Sequence, residues 1–259
     1  MAVRAPGAPY IARQPRAGAR GRIAVAGRGW AYARLGDDHV LLGGVEVPFG
    51  PLSLALAPAA DLDLRPGAEV AAQGRTLTVG GVSVGLERMR MRGRAAPPGA
   101  PVIVERGLVA AVASLLPPLP ASLSTGVRAL EAGKVDEAVA ALAGRGAGLT
   151  PDGDDILAGY AAWRHAAGEP VRLARLATAR ASPIGLSYLR CAEVGEVPPA
   201  AAALLAALRA GQRTAPATVP RLLAWGSSSG AALAYGLLAG ARGARPPRTA
   251  STEMVRQPG

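Results

Sequence analysis

Three carboxylates, Asp152, Asp154 and Asp155, fall within the stretch Gly148-Leu149-Thr150-Pro151-Asp152-Gly153-Asp154-Asp155, in a chain that carries only 18 acidic residues. Thr150 and Pro151 stop whatever precedes them. Gly153 admits backbone geometries that other residues resist, and the apolar run Ile156 to Trp163 has helical spacing, so Asp154 and Asp155 belong in or just before a first helical turn. Carboxylates there cap free N–H groups and meet the positive end of the helix dipole, each interaction being worth about 0.3–1 kcal/mol. One carboxylate satisfies that need. Three, repelling one another, point to a site that meets a cation, a metal or an N–H-rich substrate, although capping alone is a complete alternative. Asp154 and Asp155 are candidate catalytic residues and candidate Mg2+ ligands, with Gly148, Asp152 and Gly153 as substrate-binding neighbours. Exchanging Asp154 for Asn is expected to abolish turnover with little loss of stability.

A second loop, Gly226-Ser227-Ser228-Ser229-Gly230, precedes the final helical run. Small hydroxyl residues between glycines at the opening of a helix turn backbone N–H groups toward an anion, or simply cap the helix. The loop is too short for a P-loop and lacks its lysine. The two loops differ in electrostatic sense. A phosphate against the three aspartates is repelled unless a divalent cation intervenes, whereas the serine loop accepts it. A ligand with an anionic end and an amide or amine end suits the pair, and carbamoyl phosphate is one such molecule; a Mg2+-bridged phosphate ester is the rival. In this scheme Thr150 and Ser227, Ser228 and Ser229, with Gly230, hold ligand oxygens. Arg145, in Gly144-Arg145-Gly146-Ala147-Gly148, offsets developing negative charge.

Between the loops lies Ala181-Ser182-Pro183-Ile184-Gly185-Leu186-Ser187-Tyr188-Leu189-Arg190-Cys191. Ser182 reads as an N-cap with Pro183 in the first turn, and Ser187 and Arg190, three apart on one face, are candidates to line a polar cleft. His39 falls in an expected turn and His165 on a helix, so no Ser-His-Asp system assembles from spacing. Cys191 is the single cysteine, which excludes a disulfide framework and a zinc motif and reads as a small buried hydrophobe.

The elements that must position these residues divide the chain in two. From about Arg22 to Glu87, short apolar runs (Ile23-Val25, Trp30-Tyr32, Val40-Leu42, Val45-Val47, Leu52-Leu54, Val70-Ala71, Thr76-Val79, Val82-Val84) alternate with turn signals. Those at Gly36-Asp37, Gly43-Gly44 and Gly80-Gly81 fit an antiparallel meander, a small sandwich or partly open barrel, with the clearest hairpin at Gly80-Gly81. Ala95 to Pro101 is the strongest linker. Beyond it the apolar period becomes helical, in nine runs from Leu108 to Leu238 with breaks that include Gly144, Pro183, Pro198-Pro199 and Pro220. The expected class is α+β: a basic, loosely held tail over 1–21, a β-rich domain over 22–95, a linker over 96–102, an all-helical domain over 103–241 and a disordered tail over 242–259.

At 259 residues, half of them apolar, the chain can bury a sizeable core. Aromatics make up only 3%, so that core must consist of Ala, Leu and Val, with helices meeting through Ala and Gly faces. The net charge of +11 is misleading as to partners, because residues 1–34 and 242–259 supply ten of the eleven charges and the body is almost neutral. Without stacking aromatics or a recognition motif, a nucleic-acid partner is not expected. No apolar run reaches membrane-spanning length and the N-terminus does not read as a secretory signal, so a soluble cytoplasmic protein with no membrane partner is expected.

Over Gly148 to Gly159 the chain resembles the AllH-like family, associated with the subunits of oxamate carbamoyltransferase. The family pattern there is close to Gly-Leu-Thr-Pro-Ser-Gly-Asp-Asp-x-Leu-x-Gly, from which only Asp152 departs. Pro48 to Leu54, the Ser187 helix followed by Gly195-Glu196, and Ser228-Ser229-Gly230 are similar to further family elements, so the likeness extends loosely from about residue 23 to residue 240. Two residues after the Ser-Gly the family commonly has Asp, where this chain has Ala232. The resemblance implies carbamoyl transfer from a small-molecule donor, in company with other carbamoyltransferase subunits and in an oligomer. A non-catalytic scaffold or regulatory subunit is the alternative, and Mg2+-dependent phosphoester or phosphoryl-transfer chemistry the third.

Overall fold

A computed structural model describes residues 6–7, 18–44, 50–55, 62–74, 76–85, 90–91 and 104–244. The expected strand at Val45-Val47, the linker at 96–102 and most of both terminal tails lie outside the described residues.

The chain is α+β, a curled half-barrel sheet followed by helices. A short parallel pair joins β1 (Pro6–Gly7) to β9 (Arg90–Met91). The main sheet contains β2 (Ala19–Gly27), β3 (Trp30–Leu35), β4 (Asp38–Gly43), β5 (Ser53–Ala55), β6 (Glu69–Gln73), β7 (Thr76–Val79) and β8 (Val82–Gly85), in the order β5-β4-β3-β2-β6-β7-β8. The simple meander expected from turn spacing therefore exists as two separate runs, β2-β3-β4 and β6-β7-β8. The antiparallel β2–β6 pair joins them, and β5 lies parallel to β4. A hairpin needs a tight return, and the stretch between Gly43 and Ser53 is too long for one. At Gly80-Gly81 the hairpin forms as predicted: Val79 faces Val82, and the glycines have φ of 55° and 87°, the left-handed values a two-residue turn demands. A register shift between Ile23 and Val25 adds the local twist that curls the sheet, and Val70, Ala72, Leu77 and Val79 fill its concave side.

Nine helices follow among the described residues: α1 (Arg106–Ala113), α2 (Ala121–Glu131), α3 (Val135–Leu142), α4 (Asp152–Ala166), α5 (Leu173–Ala177), α6 (Pro183–Ala192), α7 (Pro199–Arg209), α8 (Ala215–Leu223) and α9 (Ser229–Gly243). β2 and α9 thus reach slightly into segments read as tails. Pro220, read as a break, sits inside α8. Its ring is exposed, and the single hydrogen bond it removes is tolerated by a helix anchored through buried Val219 and Leu222. None of the helices is long and apolar enough to cross a membrane.

α4 is buried on nearly every side and packs on α9 backbone to backbone. A methyl group on Gly159 would strike the Leu233 carbonyl, one on Gly236 the Ile156 carbonyl, and one on Gly240 the Trp163 ring. These are the small-residue contacts that a core poor in aromatics requires. The sheet meets the helices through a smaller cluster in which Tyr32, Leu41 and Leu52 pack on Ile184, Tyr188 and Cys191 of α6.

Candidate functional site

The starts of α4, α6 and α9 meet at one place, and the three aspartates are what join them. Asp154 accepts the Gly144 N–H on Oδ1 at 2.7 Å and the Ser182 N–H, at the start of α6, on Oδ2 at 2.8 Å. Asp152 accepts the Ser228 hydroxyl, at the start of α9, at 2.6 Å. Thr150 Oγ1 lies 3.1 Å from Ser229 Oγ, and both hydroxyls bear on Asp155. Three helix N-termini bring three positive dipole ends together; Asp154 answers the start of α6, and Asp152 and Asp155 the start of α9. That is a structural reason for three acids where one cap would serve a single helix.

Local sequence makes this approach possible. Ser182 caps α6, its Oγ accepting the Gly185 N–H at 2.9 Å and donating to the Leu149 carbonyl at 2.9 Å. A Cβ at Gly185 would collide with the Asp154 carboxylate, and one at Gly153 with the Leu142 and Arg145 carbonyls. Gly148 takes φ 87° in the loop ahead of α4, and Gly230 lies against the Leu222 and Trp225 carbonyls.

Asp155 is the carboxylate that stays incompletely used. It is 1% exposed, and its Oδ2 has no hydrogen-bond partner. Burial pushes its carboxyl well above the usual aspartate range, and the charges of Asp154 and Asp152 push the same way, while the Ser229 and Thr150 hydroxyls pull it down. Burial also raises Asp154, against the Gly144 and Ser182 amides that lower it. Close by, the phenols of Tyr32 (β3) and Tyr188 (α6) lie 3.3 Å apart, both raised first by burial and further by the charge of Asp155. Trp225 stands edge-on to Tyr188, ring centroids 5.7 Å apart, and its buried Nε1 has no partner.

The remaining candidates are placed differently from one another. Ser187 is fully buried and faces the sheet instead of a cleft: its Oγ accepts the His39 N–H at 3.0 Å and lies 3.4 Å from His39 Nδ1. Arg190 pairs with Asp38 at 3.0 Å. Both residues therefore fasten α6 to β4. His39 is a strand residue, not a turn residue, because the turn closes one residue earlier than its sequence neighbours suggest. Arg145, Ser227 and Ser228 are exposed at the rim of the junction. Ala232 is buried in the first turn of α9. No group of three or more His, Cys, Asp or Glu side chains suited to a metal ion occurs among the described residues, and both oxygens of Asp154 already hold amides. A cavity of about 660 Å³ opens between α7 and α8, with Pro199, Thr218, Arg221 and Trp225 in its wall. It meets the junction through Trp225 alone among the residues of the cluster around Tyr188.

Sequence reasoning missed Tyr32, Tyr188, Trp225 and Gly185. In a chain this poor in aromatics, Tyr188 between the acidic and serine loops and Trp225 beside the serine loop were the available signal.

Neither the curated proteins nor the solved structures contain a match to this chain. Residues 142–241, which run from the end of α3 through most of α9, match the sequence model of the family described as oxamate carbamoyltransferase subunit AllH. The helices that build this junction are AllH-like.

Proposed function

We propose that this chain is a subunit of a carbamoyltransferase assembly and that it binds the carbamoyl donor at the meeting point of α4, α6 and α9. The observation that carries the reading is the unpartnered Oδ2 of Asp155, a fully buried carboxyl oxygen flanked by the hydroxyls of Thr150 and Ser229. A buried polar atom left without a partner costs about 1–3 kcal/mol, so a fold keeps one where a ligand supplies the missing bond. A carbamoyl group matches a carboxyl: its N–H donates to one oxygen and its C=O accepts from a protonated acid.

Three converging helix starts and the exposed Arg145 and Ser227 supply positive potential for the phosphate end. Attack by an acceptor nitrogen on the carbamoyl carbon forms the C–N bond and breaks the C–O bond to phosphate, the departing phosphate takes the proton that the nitrogen sheds, and a proton on Asp155 stabilises the charge that develops on the carbamoyl oxygen. Asp154 acts as a positioning residue, holding α6 and the Gly144 loop. The description of the matched family supports oxamate as the acceptor and further subunits as partners.

One observation favours a second reading, a non-catalytic scaffold: Asp152 and Asp154 are both engaged in tying helices together. Thermal unfolding separates the two. The catalytic reading expects carbamoyl phosphate to raise the Tm of the wild type and not of Asp155→Ala. An unchanged wild-type Tm, alone and with co-purified subunits, leaves the scaffold.

A further inference from the structure

Three unmet polar atoms gather around one ring. The phenols of Tyr32 and Tyr188 are 3.3 Å apart, and two hydroxyls in that position share one hydrogen bond and leave one O–H over. Neither phenol makes another hydrogen bond among the described residues. Both side chains are buried. Trp225, edge-on to Tyr188, holds a buried N–H without an acceptor. Asp155, on the helix packed against the one that carries Tyr188, holds a buried oxygen without a donor. The unmet set is therefore two neutral donors beside one carboxyl oxygen.

We propose that Tyr32 and Tyr188 are specificity-determining residues of the site assigned above: the phenol pair donates to the carbonyl oxygen of a planar acyl group whose N–H lies on Asp155. The inference rests on that site assignment and goes further in naming the residues that select the carbonyl of a group with donor and acceptor on one carbon. Simple anions and ammonium groups lack the second half of the match. It also makes the sheet part of the site. Tyr32 belongs to β3, outside the residues that match the family, and the clamps from Ser187 to His39 and from Arg190 to Asp38 hold β4 beside α6 while Tyr32 reaches Tyr188.

Trp225 lines the cavity between α7 and α8 on one side and stands against Tyr188 on the other, so the cavity lies next to the buried cluster.

The test compares equilibrium binding of carbamoyl phosphate, acetyl phosphate and inorganic phosphate to the full-length wild type, Tyr32→Phe and Asp155→Ala. Acetyl phosphate keeps the carbonyl and replaces the N–H donor by a methyl group. Tyr32→Phe is expected to weaken carbamoyl phosphate and acetyl phosphate alike, each by about tenfold, and to leave inorganic phosphate unchanged. Asp155→Ala is expected to abolish the preference for carbamoyl over acetyl phosphate. Carbamoyl phosphate bound equally by Tyr32→Phe and wild type overturns the role of the phenols, including where the variant merely melts lower, and leaves the Asp155 site standing if Asp155→Ala loses binding. A wild type that binds carbamoyl phosphate no better than inorganic phosphate overturns both, and assigns the unmet atoms to a buried water alone.

Discussion

The Oδ2 of Asp154 accepts the backbone N–H of Ser182 at 2.8 Å, joining the first turn of α4 to the cap of α6 across 28 residues of chain. The other oxygen takes the Gly144 N–H, so both oxygens of this buried side chain hold backbone amides. The sequence reading, that Asp154→Asn removes turnover and spares the fold, is revised accordingly. A carboxamide presents an NH2 to one of two buried amides and leaves it unpaired. Asp154→Asn is expected to lose about 1–3 kcal/mol of unfolding free energy in a urea titration.

Backbone contact between α4 and α9 gives a second prediction. Gly236→Ala drives a methyl into the Ile156 carbonyl, with no flexible side chain there to yield, and is expected to destabilise by about 1–3 kcal/mol. Gly107, in α1, has nothing within 4 Å of the Cβ position. Gly107→Ala is expected to raise stability by about 0.5–1 kcal/mol, through helix propensity alone. Thermal or urea unfolding of the two variants, measured side by side, checks both signs.

His39 and Asp155 bend the pH dependence of stability in opposite directions. Burial lowers the His39 pKa from 6.5, and the charges of Arg34 and Arg190 help, while Asp38 and the Pro183 carbonyl oppose them. Below pH 6.5 the unfolded chain takes up the proton first, so this contribution is present above that value and lost as pH falls. Asp155 is raised above 3.8, so its unfolded form loses the proton first, and its contribution is present at low pH and lost as pH rises. Relative to wild type, His39→Gln should lose less stability between about pH 7 and about pH 5, and Asp155→Asn should gain stability as pH rises from about 4 to about 7. Slopes of the opposite sign contradict the assignments.

The parts of this fold that depend on local rules were readable from the chain. Gly80-Gly81 closes a hairpin because two adjacent left-handed residues have few other uses, and Ser182 before Pro183 caps a helix for the same kind of reason. What depends on distant pairing was not. No period in the sequence says that β6 lies beside β2, or that Ser187 turns to His39 instead of a cleft. The meaning of the acidic cluster had the same character. Asp152, Asp154 and Asp155 look like surplus charge until the starts of α6 and α9 are brought against the start of α4, and only then does Asp155 separate from the others as the residue with an oxygen to offer. Tyr32 was invisible as a site residue because the residue that gives it meaning, Tyr188, is 156 positions away.

Arg145 is exposed, and its backbone alone shapes the loop, the carbonyl accepting the Gly153 N–H at 2.8 Å. Arg145→Ala is therefore expected to leave the Tm within about a degree of wild type while weakening binding of carbamoyl phosphate and inorganic phosphate alike, by about threefold to tenfold at low salt. Weakening that persists undiminished at high salt contradicts an electrostatic role for this side chain.

The most direct measurement is a calorimetric titration of carbamoyl phosphate into the full-length wild type, Asp155→Ala and Asp155→Asn. The account predicts a saturable isotherm for the wild type, binding at least about tenfold weaker for Asp155→Ala, and near-wild-type binding for Asp155→Asn, which keeps a donor and an acceptor but has no proton to release. Asp155→Ala binding as tightly as wild type would contradict it.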